Sequence, residues 1–211
     1  MKTKQLTTIA ILCAMAVVTN LFISIPLIPG LFLRYDPADM VNVIAGFIYG
    51  PMTSLFMSTI TSILELMYRG GNFIDVIMNI ISTCTFTCTA AFIYKKMRTK
   101  KGAFIGLACG LALNLIVMLL WNYIAYPLYY GMDQAAVIPM LPPMTLFNFI
   151  KGSLNIALTL FLYKPIVQIL RRTHLVESGT STQFTLSGVI YAVGFIIISV
   201  LAFIAAMQGW F

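Results

Sequence analysis

The chain has 211 residues, of which 60% are hydrophobic and only 9% are charged, and its mean hydropathy is +0.95. A water-soluble domain needs about 25% charged residues to cover its surface, so this composition excludes an ordinary soluble globule and predicts an all-α integral membrane protein. The formal net charge of +7 lies in short loops, which favours a role in orienting the chain in the lipid bilayer and does not indicate nucleic-acid binding.

Apolar segments of about 20 residues, the length that crosses a bilayer as a helix, recur along the chain. They cover about 5–25, 52–68, 72–94, 103–130, 144–169 and 188–208. The first of them has the charge and length of a signal peptide, but no small-residue cleavage site follows it, so we expect a retained helix.

A shorter apolar segment, about 38–49, follows Asp36-Pro37 and ends at Gly50-Pro51. Proline suits the first turn of a helix and Gly-Pro marks a tight break, so this segment is predicted to be the second helix.

The predicted organisation has three parts. Residues 1–172 form a six-helix transmembrane bundle that binds the substrate, residues 173–187 form a cytoplasmic linker, and residues 188–211 form an additional seventh transmembrane helix.

Basic residues predict the orientation. With a cytoplasmic N-terminus, ten lysines and arginines fall on the inner side, only Arg34 and Arg69 fall in outer loops, and Lys151 lies within a helix. Because basic residues favour the cytoplasmic side, we predict a multi-pass cell-membrane protein whose N-terminus is cytoplasmic. The inner residues are Lys2, Lys4, Lys95, Lys96, Arg98, Lys100, Lys101, Lys164, Arg171 and Arg172.

Polar residues from several helices converge at the predicted outer end. They are Asp36, Asp39, Glu65, Asp75, Asn79, Asn122, Asn148 and Lys151. A charge at membrane depth is costly unless it is paired or faces a water-filled space, so Lys151 requires a partner or a cavity. Together with the aromatic residues of 121–130 and 147–149, the cluster predicts an outward-opening site for a planar, largely apolar ligand.

Each of these residues also has a simpler explanation. The carboxylates fit headgroup-level positions, Lys151 can extend its charge toward the interface, and Asn122 can form a hydrogen bond between helices. The aromatic residues alone fit an interfacial belt.

No sequence feature indicates an enzyme. The chain has neither a phosphate-binding loop nor a nucleophile–base motif, so no catalytic residue is predicted and ATP hydrolysis is expected from separate subunits. The cysteines lie in apolar segments without a nearby histidine or carboxylate, so neither a metal site nor a cofactor is expected. They are Cys13, Cys84, Cys88 and Cys109.

Four segments resemble a known family. They are FLRYDPAD at 32–39, GFIYGP at 46–51, WNYIAYPLYYG at 121–131 and FNFIKG at 147–152. In this order and spacing they are similar to the substrate-binding (S) components of energy-coupling-factor (ECF) vitamin transporters, specifically the riboflavin-specific branch. The last two segments together are the most specific.

The resemblance implies a six-helix bundle that captures riboflavin near the extracellular face, as a transported ligand and not as a cofactor. It also implies that Asn122 and Lys151 hydrogen-bond the polar edges of the ligand, with Asn148, Asn79 and Asp39 at the site. A membrane coupling protein and a pair of cytoplasmic ATPases would supply the energy.

The first helix carries a small-xxx-small pair, Ala10 and Ala14, which lets another helix approach closely. Packing within the bundle is the ordinary explanation, and the resemblance implies instead that the coupling protein docks there.

Two departures leave alternatives open. Thr61-Ser62 occupies the position of a Lys-Asn pair in the family, and Glu65 adds a carboxylate nearby, so a different flavin or vitamin-like ligand is the alternative substrate. A stand-alone secondary transporter is the alternative mechanism. The seventh helix has no counterpart in the six-helix pattern.

Overall fold

A computed structural model describes residues 3–23, 25–26, 34–70 and 72–175, together with Val193, Gly194, Ile197 and Leu201. Within these residues the regular secondary structure is helical, apart from a two-residue antiparallel pairing of β1 (Ile25–Pro26) with β2 (Arg34–Tyr35). The helices are α1 (Thr3–Phe22), α2 (Ala38–Tyr49), α3 (Pro51–Arg69), α4 (Phe73–Met97), α5 (Lys100–Tyr130), the one-turn α6 (Gln134–Val137) and α7 (Leu141–Arg172). A 3₁₀ turn, Ile138–Met140, joins α6 to α7.

Four of the described helices are long and apolar enough to cross a membrane. They are Thr3–Phe22, Phe73–Met97, Lys100–Tyr130 and the continuous segment Gln134–Arg172. Helix α2 is apolar but shorter, and α3 contains several serines and threonines that turn inward, among them Ser54, Ser58 and Ser62. The chain is therefore an all-helical membrane bundle, while the predicted count of six spanning helices plus one is not confirmed.

The two predictions for the C-terminal part fall largely outside the described residues. Of the linker 173–187 only Thr173–Leu175 is described, as a turn that follows α7. Of the predicted seventh helix only Val193, Gly194, Ile197 and Leu201 are described, each of them helical.

The ends of the helices follow from local sequence. Gly50 adopts a φ of 101°, which a residue without a side chain tolerates, and Pro51 starts α3 immediately after it. The backbone N–H of Asn72 donates to Asp75 Oδ2 at 2.8 Å and caps the start of α4. One prediction was wrong: Arg69 is not in a loop but is the last residue of α3.

Side-chain contacts define two ends of the bundle. At one end, the polar end, the last turns of α1 and α3 lie beside the first turn of α2, the second and third turns of α4 and the third turn of α7. The contacts that show this involve Asn20, Asp39, Glu65, Asn79 and Lys151. At the other end, the basic end, α4 finishes and α5 begins with Lys95, Lys96, Lys100 and Lys101, and α7 finishes with Arg171 and Arg172.

The half of the bundle toward the basic end is apolar and closely packed. A Cβ added to Gly106 or Gly110 of α5 would lie 2.7 Å from the Ala90 carbonyl oxygen or 2.6 Å from that of Phe86, so α4 and α5 are in backbone contact there. A Cβ on Gly46 would lie 2.8 Å from the Ala91 Cβ, which brings α2 equally close to α4. This packing leaves little room for a ligand in that half.

Candidate functional site

Lys151 lies at the centre of the polar end. Its Nζ is 3.2 Å from Asp36 Oδ2 and 3.3 Å from Asp39 Oδ2, and all three residues are less than 9% exposed. A buried cation at this depth is tolerated because two carboxylates from the start of α2 neutralise it. The sequence indicated that Lys151 needs a partner, and the structure identifies Asp36 and Asp39 as that partner.

The two carboxylates are held by further buried groups. Thr83 of α4 donates to Asp39 Oδ1 at 2.8 Å, and the Asn155 side-chain amide donates to the Asp36 carbonyl oxygen at 3.3 Å. Tyr35 donates its hydroxyl proton to Asn155 Oδ1 at 3.2 Å. Burial, followed by the nearby charges of Asp36 and Asp39, raises the pKa of Tyr35, so its hydroxyl stays protonated and remains a donor.

Thr83, Asn155 and Tyr35 were not among the predicted site residues. One signal was available for Asn155, because it follows Lys151 by four residues on α7 and therefore lies on the same helix face. Thr83 follows the predicted Asn79 by the same interval on α4.

A second charged group lies beside the first. Glu65 and Arg69 form an ion pair on α3, and Glu65 Oε2 accepts a hydrogen bond from Asn79 Nδ2 at 2.6 Å. Arg69 also donates to the Asn20 side-chain oxygen at 2.9 Å and to the Asn20 carbonyl oxygen at 3.1 Å. Asn79 thus reaches the cluster, and the interaction ties α1, α3 and α4 together.

The remaining two predicted asparagines are buried but do not join this network directly. The Asn148 side chain donates to the Met144 carbonyl oxygen of its own helix at 2.9 Å. Asn122 is 4% exposed on α5, and among the described residues its side chain makes no hydrogen bond. A buried amide of this kind offers both a donor and an acceptor to a bound molecule.

Aromatic residues at the end of α5 pack against one another and against the start of α4. The Tyr129 and Tyr130 rings lie 4.6 Å apart, and the Tyr126 and Tyr130 rings lie 5.0 Å apart. Tyr129 also contacts Asn72 and Asp75 at the start of α4 through its hydroxyl group. These contacts fix the end of α5 against α4.

Ala10 and Ala14 are both exposed on α1, whereas their neighbours Leu12, Cys13 and Ala16 are buried against the bundle. The small-residue pair therefore lies on the outside of the described bundle and takes no part in its core. Within the part of the chain that the structure describes, no cluster of three metal-ligating side chains occurs.

The geometry defines a buried cluster of charged and polar side chains at one end of an apolar helical bundle, and the family comparison agrees with a membrane protein of this kind. Residues 4–163 match the model of the family described as "ECF transporter, substrate-specific component". The chain belongs to this family, so the resemblance seen in the sequence is confirmed. It is a membrane-bound transporter component and not an enzyme.

Individual relatives extend the comparison. The chain is 28% identical over 177 residues to "Riboflavin transporter RibU" of Staphylococcus aureus (strain TCH60), which covers 80% of this chain and 93% of that protein. It is 29% identical over 195 residues to "Riboflavin transporter FmnP" of Bacillus subtilis (strain 168), which covers 83% of this chain and all of that protein (100%).

A solved structure, reported as that of "the S component of a bacterial ECF transporter", is similar with a TM-score of 0.69 and 30% sequence identity. The alignment covers 82% of this chain and 100% of the solved one.

Proposed function

We propose that this chain is the riboflavin-binding S component of an ECF-type ABC transporter for vitamin uptake. The observation that carries the proposal is the buried Lys151 held between Asp36 and Asp39 at the polar end, with Asn79 bonded to Glu65 and with Asn122 and Asn148 buried on α5 and α7. The names of the two relatives support riboflavin as the transported ligand.

The proposed binding residues have complementary roles. Lys151 is a charged donor, Asn122 and Asn148 contribute amides, and Asn79 and Asp39 contribute acceptor oxygens. The isoalloxazine ring system of riboflavin is planar and largely apolar with polar edges, so a few convergent polar groups among apolar and aromatic side chains suit it.

The direction of capture follows from the charge distribution. The basic end carries the lysines and arginines that favour the cytoplasm, so the N-terminus is cytoplasmic and the polar end faces outward. Riboflavin then enters from the extracellular side, and the closely packed half toward the basic end prevents free passage. A reporter that is active only in the cytoplasm should therefore be active when it is fused to the N-terminus, and a reporter that is active only outside the cytoplasm should be inactive there.

Energy for release comes from partners in this proposal: a membrane coupling protein and a pair of cytoplasmic ATPases. The exposed Ala10 and Ala14 are the proposed docking positions because small residues let a partner helix approach closely. Residues 1–172 are the binding domain, and the chain beyond them is an addition to it.

One observation favours a second candidate ligand. The Thr61 hydroxyl donates to the Met57 and Ser58 carbonyl oxygens of its own helix, at 2.8 and 3.1 Å, and so offers no donor where the family has a lysine. A related flavin or vitamin-like molecule is therefore the alternative ligand. No observation favours a stand-alone secondary transporter.

The test of the ligand is a fluorescence titration of the purified protein with riboflavin, together with mass spectrometry of molecules that copurify. Riboflavin fluorescence should be quenched on binding, and Asn122→Ala should weaken the binding at least tenfold. Absence of quenching across micromolar riboflavin would exclude the flavin, and a different copurified molecule would identify the alternative.

The docking proposal is tested with Ala10→Leu and Ala14→Leu. Both variants should bind riboflavin normally but lose uptake in cells that contain the partner subunits, because leucine keeps the partner helix at a distance. The matched control is Ala112→Leu, an exposed alanine on α5, which should preserve both riboflavin binding and uptake.

The dependence on separate ATPases is tested with the purified protein in liposomes. Uptake of riboflavin into liposomes without ATPases would contradict the proposed mechanism.

A further inference from the structure

Glu65 fixes the orientation of the Asn79 side chain. Glu65 forms an ion pair with Arg69, and the ionised carboxylate of such a pair can only accept hydrogen bonds. The group 2.6 Å from Glu65 Oε2 must therefore be the Asn79 NH₂ group and not its oxygen. Asn79 Oδ1 consequently points away from Glu65, toward Thr83 and Asp39.

The direction of the Thr83 hydroxyl proton is set by a second carboxylate, that of Asp39. Its hydroxyl has a single proton, and the 2.8 Å contact with the Asp39 carboxylate takes that proton. The Thr83 Oγ1 therefore meets Asn79 Oδ1, 3.5 Å away, without a proton to donate to it.

These two assignments leave a pair of acceptor oxygens facing each other. We infer that Asn79 Oδ1 and Thr83 Oγ1 form a two-acceptor subsite that binds one N–H or O–H donor of the ligand, with Glu65 as the residue that positions Asn79. The inference rests on the proposed function, since it describes how the same site recognises its substrate.

The surrounding charges favour the same ligand chemistry. Asp36, Asp39 and Glu65 contribute three carboxylates, against the two cations Lys151 and Arg69. The excess negative charge attracts the partly positive hydrogen of a donor that lies between the two oxygens. The same charge repels a phosphate or carboxylate, which is negative and offers only acceptors. Riboflavin carries suitable donors in its imide N–H and in its ribityl hydroxyl groups.

The subsite is tested by riboflavin affinity in a set of variants. Thr83→Val removes the oxygen at nearly constant shape and should weaken binding at least tenfold, while Thr83→Ser keeps the hydroxyl and should stay within threefold of the wild type. Thr85→Val is the matched control. Thr85 lies on the same helix, and among the described residues its hydroxyl bonds only to the Ile81 carbonyl oxygen, at 2.6 Å.

Two double variants distinguish the loss of a shared ligand donor from a general loss of protein structure. Thr83→Val should add less than threefold to the loss caused by Asn79→Leu, because both side chains contact the same donor. Glu65→Gln should weaken binding tenfold in the wild type but have no further effect in Asn79→Leu, because Glu65 acts through Asn79. Additive losses in either pair would overturn the inference.

A measurement without ligand tests the orientation itself. In ¹⁵N-asparagine-labelled protein, the side-chain amide signal that Asn79→Leu removes should show one strongly hydrogen-bonded proton, and Glu65→Gln should shift it toward the free-amide position. An unchanged signal would overturn the assignment even where riboflavin binds. Conversely, if the wild type binds no riboflavin but the signal shifts, the proposed ligand fails and the acceptor orientation stands.

Discussion

The two halves of the bundle are built on different principles. Toward the polar end, helices are joined by charges and amides: Lys151 pairs with Asp36 and Asp39, and Glu65 bonds to Asn79. Toward the basic end, they are joined by close contact of small residues, as at Gly106 and Gly110 on α5. Polar groups can face a ligand, whereas backbone contact excludes one, so we expect the polar half to bind the ligand and the other half to block its passage.

The largest expected effect is at the centre of the polar half. Lys151→Met leaves two buried carboxylates unpaired and should lower the free energy of unfolding by about 3–5 kcal/mol, the usual effect of breaking a buried ion pair on one side. Denaturant unfolding in detergent measures it. Lys164→Met, an exposed lysine on the same helix, is the control and should change stability by less than about 0.5 kcal/mol.

A compensating variant sharpens that prediction. Adding Asp36→Asn and Asp39→Asn to Lys151→Met removes the uncompensated charges, so most of the lost stability should return while riboflavin binding should not. If Lys151→Met and Lys164→Met unfold alike, the charge cluster does not stabilise the polar half.

In the half toward the basic end, the sensitive positions are glycines. Gly106→Ala places a methyl group 2.7 Å from the Ala90 carbonyl oxygen, so α4 and α5 must separate, and we expect a loss of about 1–3 kcal/mol. Gly152→Ala is the control, because its new methyl group meets the movable end of the Leu111 side chain. Equal losses for the two variants would mean that backbone contact does not determine packing there.

A smaller effect is expected at Asn155. Asn155→Leu deprives the Tyr35 hydroxyl and the Asp36 carbonyl oxygen of their buried partner, which should cost about 1.5 kcal/mol in unfolding free energy. Tyr35→Phe, which removes only the first of these two hydrogen bonds, should lose less than the leucine variant in the same unfolding assay; the reverse order would contradict the hydrogen-bond assignment.

The smallest effect is expected at Asn42, on α2 between the two halves. It is 1% exposed, and among the described residues neither polar atom of its side chain has a hydrogen-bond partner. Asn42→Leu should therefore change the unfolding free energy by less than about 1 kcal/mol or increase it, since no bond is lost. A loss as large as that of Asn155→Leu would reveal a partner for Asn42.

The sequence predicted the polar half better as a set of residues than as a set of contacts. Lys151 was recognisable because a lone cation in an apolar segment needs a counter-charge. That Asp36 and Asp39 supply it could not be read from the sequence, because the pairing depends on how α2 packs against α7. Asn79 and Asn122 were recognisable as polar residues near the outer ends of apolar segments, and the family resemblance then implied their role. Thr83 was missed because a threonine in an apolar helix usually bonds only to its own backbone.

Helix boundaries were predictable where local chemistry sets them. The break at Gly50-Pro51 is such a case, since glycine with positive φ followed by proline ends one helix and starts the next. Arg69 was misplaced in a loop because its charge suggested solvent, but Glu65 and Asn20 hold it within the last turn of α3. Glu65, four residues earlier on the same helix, could be predicted as a partner from the sequence, whereas Asn20 is a partner only in the folded chain.

The most direct test of the account is a structure of the protein determined with riboflavin bound. The flavin should lie at the polar end, in contact with Lys151 and Asn122, and place a donor between Asn79 and Thr83. The half toward the basic end should be unchanged. Riboflavin bound between α4 and α5 near Gly106, or bound without any contact to Lys151, would contradict it.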